Sequence, residues 1–598
     1  MPSLSVGIMS AAQGRYSTSQ LVLDIGQGAR IASSAYPRPD TPSLSLRSDG
    51  TSAVTITGWA AAVQRTRAAP QLLTPGLLAS SLAGGAAYAG IGGAGAPDAG
   101  AAAALDGRIA AVSLGTPSTL SARIASLARS RQLVVADLPG GREGLADLAA
   151  LTDRRPADEL IVVVQRVADP RRGALLWSAV AGLPGGGGRE LSSASTNQKG
   201  LVTAVDVAPT ILAHLGRGAL PSEIRGRTIT TAGSLDSPRL RSLMARLRVI
   251  GGRRLKSLGF LLLAWAALLL LCARRPAARG RAIRAGAIGV LWAPVVVLLP
   301  AALEPSAPIE YATIALCCLG LGAVTDALLP WPRAPLAPAL VALAALSADA
   351  LAHTQLLMRS LLGPNPLLGA RFYGIGNELK SALAVLVLAA LAAALYPARR
   401  RRRNAAFVLA AGAVLAVIEG SARIGAGVGG VILVSAGFAV AAIVLLPGAL
   451  SRRRLLVVLL SPVAALLALA VLDLLTANGN GHFTGSVLHA RSAGDLRDVI
   501  VRRYRAAWGE LHNHTMPIAT GLALLGAAAG LSARVRLLAP VGGDPGWLAA
   551  LGGGVTAGVV GALAEDSGPV LLVVAAFALG CLLSYLWARP APAPAPAR

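Results

Sequence analysis

From Leu258 to the end, apolar runs of membrane-spanning length follow one another with little else between them. They cover about 258–273, 284–303, 309–330, 335–353, 376–396, 405–421, 428–447, 455–476, 516–533, 546–563 and 568–587. A bilayer core about 30 Å thick needs about 20 consecutive apolar residues in a helix. In lipid the backbone polar groups must be paired internally, so such runs fold as helices. Eleven transmembrane helices are expected, the ninth and tenth the weakest. Composition agrees: 54% of the 598 residues are hydrophobic and 14% charged, against about 25% charged in a soluble domain.

The formal charge of +26 does not point to nucleic acid. Much of it lies in short clusters between apolar runs, such as Arg399–Arg403 and Arg452–Arg454, and an aromatic content of 4% is too low for base-stacking platforms. Arg274, Arg275, Arg279, Arg281 and Arg284 follow the first run, Arg333 the third, and Arg534 and Arg536 the ninth. These alternate loops belong on the cytoplasmic side. The opposite loops carry Glu304, Glu310, Glu565 and Asp566. The reading is a plasma-membrane protein with an extracytoplasmic N-terminal domain and a cytoplasmic C-terminus. Arg253, Arg254 and Lys256 weigh slightly against it. Residues 1–21 show no secretory pattern, so a start upstream and a leading anchor are expected. Cys272, Cys317, Cys318 and Cys581 lie inside apolar runs and read as small apolar residues.

Three regions follow: residues 1–250, 251–588 and a Pro/Ala-rich cytoplasmic tail, 589–598. In the first, β-branched stretches such as Gln132–Ala136 and Leu160–Val164 alternate with helical patterns such as Gly140–Leu151, which predicts an α/β domain. Its segments KGLVTAVDVAPTILAHLG (199–216) and PSEIRGRTI (221–229) resemble the C-terminal signature of the alkaline phosphatase and sulfatase superfamily. TPGLLASSLAGGAAYAGIGG (74–93) is similar to the helix, turn and strand after the nucleophile there, and Ser192–Thr196 occupies the polar stretch before the signature. The resemblance implies an alkaline-phosphatase-like α/β fold. Its two-metal chemistry needs an Asp/His ligand set. Here Leu160–Val164 runs into Gln165-Arg166-Val167-Ala168-Asp169, the region's one histidine, His214, sits in an apolar helix, and Asp24, Asp137 and Asp169 are scattered. A catalytically inactive relative, without metal or cofactor, is expected.

The chemistry-bearing residues of the helical region gather at one boundary. NPLLGARFYGIGNELK (365–380) brings Arg371, Tyr373, Asn377, Glu378 and Lys380 to the start of a helix. Its RFYGIGNE core, with RIGAGVGG (423–430) and EDSGP (565–569), resembles the signature of an uncharacterised multi-pass membrane protein family of Gram-positive bacteria. In related chains of that family a phosphatase-like domain precedes the same helices. Lys380 and Pro569 depart from the apolar residues expected there. Arg371 suits an anionic head group, and Asn377 and Glu378 open the following helix or cap it. Glu419 and Arg423 have ion-pair spacing ahead of a glycine run that fits either a broken helix or close helix packing. Glu565 and Asp566 suit a cation or proton path, an acid/base role or a solvated loop. The loop 477–515 adds His482, His489, His512 and His514 without a fixed third ligand, and an amphipathic, arginine-bearing helix at 495–508 suited to anionic lipid.

These residues frame the expected site: Arg371, Tyr373, Asn377, Glu378, Glu419, Arg423, Glu565 and Asp566, facing outward. The expected partner is a membrane lipid or lipid-linked envelope precursor, bound or translocated there. Two alternatives stay open. One is an enzyme, either a membrane-embedded transferase using Glu378 or Asp566 as base or a phosphoester or sulfate-ester hydrolase. The other is an ion-coupled transporter.

Overall fold

A computed structural model describes the chain apart from residues 12–16, 34–35, 37, 39, 49–53, 70, 93–96, 168–174, 219, 365, 368–370, 422–423, 426, 449–450, 478–500, 502–503, 505–506, 508, 510, 512–514, 566 and 591–598, and apart from the side chains of 472–477. It divides into two compact units, one formed by Met1–Arg248 with Asn365–Phe372, the other by Val249–Pro364 with Tyr373–Arg598.

The first unit is a small α/β structure. Its main sheet holds β1 (Ser5–Ser10), β8 (Ile161–Val164), β9 (Leu175–Ala181), β10 (Glu190–Ser193), β11 (Leu201–Thr203) and β12 (Ile229–Ala232). The order is β12-β10-β1-β9-β8, with β11 also on β1. β1 runs parallel to β10 and β11 and antiparallel to β9. A second sheet, parallel throughout, sets β4 (Ala87–Ile91) between β6 (Ala111–Gly115) and β7 (Val134–Ala136). A small antiparallel sheet joins β2 (Ser45–Ser48), β3 (Val54–Thr57) and β5 (Arg108–Ile109). Five helices of eight residues or more accompany them among the described residues: α1 (Thr18–Gln27), α2 (Trp59–Arg67), α3 (Leu120–Ala128), α4 (Gly141–Asp153) and α5 (Val207–His214). Met9, Leu176, Val180, Leu191 and Val202 make one core, and Val22, Trp59, Tyr88 and Ile109 another.

Asp206 shows why the DVAPT segment folds as it does. Its fully buried carboxylate accepts from Ser193 Oγ (2.7 Å), Ser195 Oγ (2.5 Å), Thr203 N (2.9 Å) and Arg227 N (3.0 Å). A buried carboxylate persists when its oxygens are this fully satisfied. Thr210 Oγ1 donates to Asp206 O (2.5 Å) and accepts from Ile229 N (2.8 Å), which ties α5 to β12.

The division between the units at Arg248 and Val249, close to the boundary expected at 250, falls inside a helix. A single helix, α6 (Ser237–Leu271), runs through it for 35 residues. It begins about twenty residues before the expected first span. Leu240, Leu243, Met244, Leu247 and Ile250 are buried at helical spacing, so the turns ahead of the apolar run are held by packing. Glu190, fully buried on β10, anchors the start of this helix through Arg239 and by accepting from Asp236 N (3.2 Å).

Helices are the regular secondary structure of the second unit among its described residues. After α6 come α7 (Pro276–Leu303), α8 (Ala307–Leu328), α9 (Leu336–Leu351), α10 (Asn377–Ala394), α11 (Arg401–Gly420), α12 (Val428–Leu445), α13 (Arg452–Ala477), α14 (Met516–Ser532), α15 (Pro545–Ala564) and α16 (Pro569–Trp587). Nine of these, among the described residues, are long and apolar enough to cross a membrane, while α9 and α14 are shorter apolar helices. The unit therefore has the character of a multi-pass membrane protein. Leu455, Leu456, Leu459, Leu460 and Leu467 on α13 are all more than half exposed, as lipid-facing side chains are. Packing is tightest where side chains are smallest: a Cβ at Gly437 on α12 would meet Gly553 O of α15 at 2.8 Å. Without a hydrophobic driving force between helices in lipid, such close approach carries the association.

Candidate functional site

Four helix ends of the second unit meet around one charged cluster. Lys380 stands in the first turn of α10, Glu419 in the last turn of α11, Gly427 caps the start of α12, and Glu565 caps the end of α15. Lys380 Nζ lies 3.2 Å from Glu565 Oε1. The Lys380 side chain is 0% exposed and that of Glu565 5%, and Glu419 is fully buried.

The backbone is built to bring them together. After α11 the backbone returns to its last turn, with Gly425 N donating to Ile418 O (3.1 Å) and Gly427 N to Glu419 O (3.3 Å). Ile375 N donates to Ile424 O (2.8 Å), tying the entry of α10 to this turn. Gly374 adopts φ 76°, open to glycine at little cost, and its N–H donates to Thr354 Oγ1 (3.1 Å). The glycine run then admits the charges. A Cβ at Gly427 would collide with Lys380 Nζ, one at Gly429 would lie 2.5 Å from Glu565 Cδ, and one at Gly430 2.6 Å from Glu419 Oε2. The missing side chains of this run make room for ionisable groups as well as for backbone.

The charges sit against their own helix dipoles. A helix start favours anions and a helix end cations, yet Lys380 is in a first turn, Glu419 in a last turn and Glu565 at a C-cap. They do not stabilise the helices that carry them. Lys380 and Glu565 instead face each other, beside the start of α12, whose first N–H groups have no partner within their own helix.

Asn377, Lys380 and Ser381 form one polar face of α10 at spacings of three and four residues. Asn377 Nδ2 donates to Ser567 Oγ (3.1 Å) and Ser381 Oγ to Leu571 O (2.8 Å), so this face meets the EDSGP turn. Glu378 points elsewhere. It pairs with Arg254 at 3.9 Å and is 32% exposed. Arg254 also donates to Leu361 O (2.6 Å) and Gly363 O (3.2 Å), and Arg253 pairs with buried Glu310 at 2.7 Å. The two arginines that weighed against the expected topology are thus each matched by a glutamate.

Of the residues expected to line the site, Asn377, Glu419 and Glu565 are brought together, and Glu378 lies one residue round the helix from them. Tyr373 is half-buried just before α10. Arg371 belongs to the Asn365–Phe372 segment of the first unit, where Ser10 Oγ donates to Pro366 O (2.8 Å) and Arg30 stacks over the ring of buried Phe372 at 5.5 Å. Arg423 and Asp566 lie outside the described residues, as do the four loop histidines and most of the 495–508 segment. Lys380, first read as a departure from the pattern, supplies the cation at the centre. Its spacing from Asn377 was the signal.

Two further polar clusters in the first unit hold Asp24 and Asp137. Asp24, 1% exposed on α1, accepts from Gln20 Nε2 (2.8 Å) and Gln27 Nε2 (3.0 Å). Burial pushes its carboxyl up to about 7, against the opposing pull of those amides and of Arg30 and Arg65. Asp137, at the end of β7, is bound by Arg166 at 2.7 Å, and the same guanidinium holds Asp98. Burial raises the Asp137 carboxyl, with Arg166 opposing. His214 Nε2 lies 2.8 Å from Asp158 O, and Asp169 is outside the described residues. Asp24 and Asp137 thus have separate partners. Two open clefts of about 450 and 440 Å³ lie around Trp59 and around Gly84–Ala86, apart from these groups.

No protein-family model matches this chain, and neither does any curated protein or solved structure.

Proposed function

We propose that this is a multi-pass plasma-membrane protein of the bacterial envelope that binds, and moves, an anionic or lipid-linked substrate at the polar centre around Lys380. The observation that carries the reading is the fully buried Lys380 ammonium at the meeting of two helix starts, with Glu565 as its counter-ion. An ammonium among helix N-termini suits a phosphate-type oxyanion, which both attract. Ionisable groups within a membrane domain mark substrate or ion paths, and interrupted helices with free ends commonly build them. On the loop charges, this end of the helices faces outward.

In this reading the α/β region is a phosphatase-like platform outside the membrane that binds without catalysing. Support comes from the DVAPT segment opening a late helix, as the resemblance implies, and from Arg166, a fixed cation between Asp98 and Asp137. The test is native mass spectrometry of the detergent-solubilised chain with added polyprenyl phosphate and, for comparison, phosphatidylcholine. The protein should retain the polyprenyl phosphate preferentially, and Lys380→Gln should weaken that retention at least about tenfold, the equivalent of ~1.4 kcal/mol. Equal retention by the variant would sink the proposal.

A further inference from the structure

At the other end of the helices from the polar centre, contacts between segments define a single face. Arg284 Nη1, near the start of α7, donates to Ala588 O after α16 (2.6 Å), and Ala334 N, ahead of α9, donates to Tyr585 Oη (3.4 Å). Asp544, ahead of α15, accepts from Ala398 N after α10 (2.7 Å), and Trp331 and Tyr396 pack edge to face with ring centroids 6.4 Å apart. α12 runs antiparallel to α15, with Gly429 against Glu565 and Gly437 against Gly553, so the start of α13 belongs to this face too. Exposed arginines stand on it within 274–281, at 333, and within 399–403, 452–453 and 534–536, and at 589. Its carboxylates among the described residues, Asp326 and Asp544, are engaged elsewhere: Asp326 takes Arg284 Nε at 2.8 Å, and Asp544 accepts from backbone N–H groups. None of the exposed arginines makes an ion pair among the described residues.

The charge is densest where α11 and α13 begin, and there it does not serve the helices themselves. Arg401, Arg402 and Arg403 open α11, and Arg452 and Arg453 open α13, in first turns that hold no acidic residue. A helix start disfavours cations. Directly beneath them the helices turn apolar and stay uncovered. Leu455, Leu456 and Leu459 of α13 are more than half exposed, and Phe407 of α11 is 46% exposed with Arg403 stacked over its ring at 5.3 Å. Both helices pack on α12, and they approach each other near their far ends, where a Cβ on Gly420 would come within 2.6 Å of Leu469. Guanidinium groups thus stand one turn, about 5 Å, above exposed hydrocarbon.

We infer that the starts of α11 and α13 bind an anionic phospholipid, its phosphate on these five arginines and its acyl chains along the exposed apolar side chains below. A ligand that matches both layers is amphipathic, with an anionic head on hydrocarbon. The planar guanidinium fork takes phosphate oxygens two at a time, and basic side chains at a bilayer surface are drawn to anionic head groups. An acidic protein has no use for the apolar layer. Nucleic acid stacks on open aromatic rings, whereas the Phe407 ring is covered by Arg403. The site does not rest on the reading of the Lys380 centre. Arg401 and Glu419 occupy the first and last turns of α11, about 27 Å apart at 1.5 Å per residue.

The experiment is native mass spectrometry of the full chain in detergent with phosphatidylglycerol and, for comparison, phosphatidylcholine, whose phosphodiester charge is cancelled by its own choline. The chain should retain phosphatidylglycerol at least about tenfold better; equal retention of the two would overturn the proposal. The triple variant Arg401→Gln, Arg402→Gln, Arg403→Gln and the double variant Arg452→Gln, Arg453→Gln should each lose most of that preference. The same three arginines of α11 changed to lysine should keep part of it, since charge remains and the fork is lost. An equal loss in Arg274→Gln, Arg275→Gln, elsewhere on the face, would overturn the assignment to α11 and α13. Loss in Lys380→Gln but not in the arginine variants would place the lipid at the polar centre, overturning this site and leaving the reading of that centre standing. Glycerol 3-phosphate, a head group without chains, should not displace the lipid; displacement by it, or by an equimolar oligonucleotide, would overturn the phospholipid as the ligand.

Discussion

Lys380 and Glu565 are 185 residues apart in the chain and 3.2 Å apart in the fold, and neither is placed to stabilise its own helix. They face each other inside the helical unit. Removing one charge of a buried pair costs about 3–5 kcal/mol, while replacing both by apolar groups is often near neutral. Lys380→Met and Glu565→Met should each lower stability strongly, and the double variant should recover most of the loss. A double-mutant cycle on unfolding in detergent measures the coupling, and additive losses would show that the pair is not a unit.

The glycines of α12 carry a second prediction. Alanine is favoured over glycine within a helix by about 1 kcal/mol, so Gly429→Ala and Gly430→Ala should stabilise an unconstrained helix. Here the added methyl groups meet Glu565 and Glu419, and both variants should lose stability together with anion binding. Gly320→Ala on α8, where nothing lies within 4 Å of the new methyl, is the control. Thermal unfolding of the three variants in parallel separates space from propensity.

Asp24 gives the α/β unit a pH dependence of definite sign. Its carboxyl is raised from 3.8 to about 7 by burial, so the folded chain holds the proton more tightly than the unfolded one. Below 3.8 both states carry it and no penalty exists; as the pH rises towards 7 the unfolded chain ionises first and stability falls, and above about 7 the full penalty applies. At 1.36 kcal/mol per pH unit the span is of the order of 4 kcal/mol. Asp24→Asn should flatten this slope and protect α1 at pH 8. Hydrogen exchange of peptides covering Thr18–Gln27, measured at pH 5 and pH 8 with correction for the intrinsic rate, reads it directly.

Glu190 is the buried anchor of α6, bound to Arg239 and 3.9 Å from Lys199. Glu190→Gln keeps the shape and removes the charge. With Arg239 partly exposed, a loss of about 2–3 kcal/mol is expected, below that of a fully buried pair. The loss should be local, as faster hydrogen exchange at the start of α6. Unchanged protection there would show that packing of Leu240 and Leu243 suffices.

Much of this was written into the chain. Apolar run length alone set where helices lie in the second unit, because backbone in lipid has few other solutions, and β-branched stretches at 134–136 and 161–164 became strands. Period alone would also have grouped Asn377, Lys380 and Ser381 on one face of α10 and turned Glu378 away. Other features depend on contacts made across the fold. The helical start of α6 could not be read from hydropathy, since its apolar residues matter only once something covers them. Nor could the partner of Lys380: a charge buried in a membrane domain is stable only beside its complement, and that complement arrives from 185 residues away through three glycines whose missing side chains let it in.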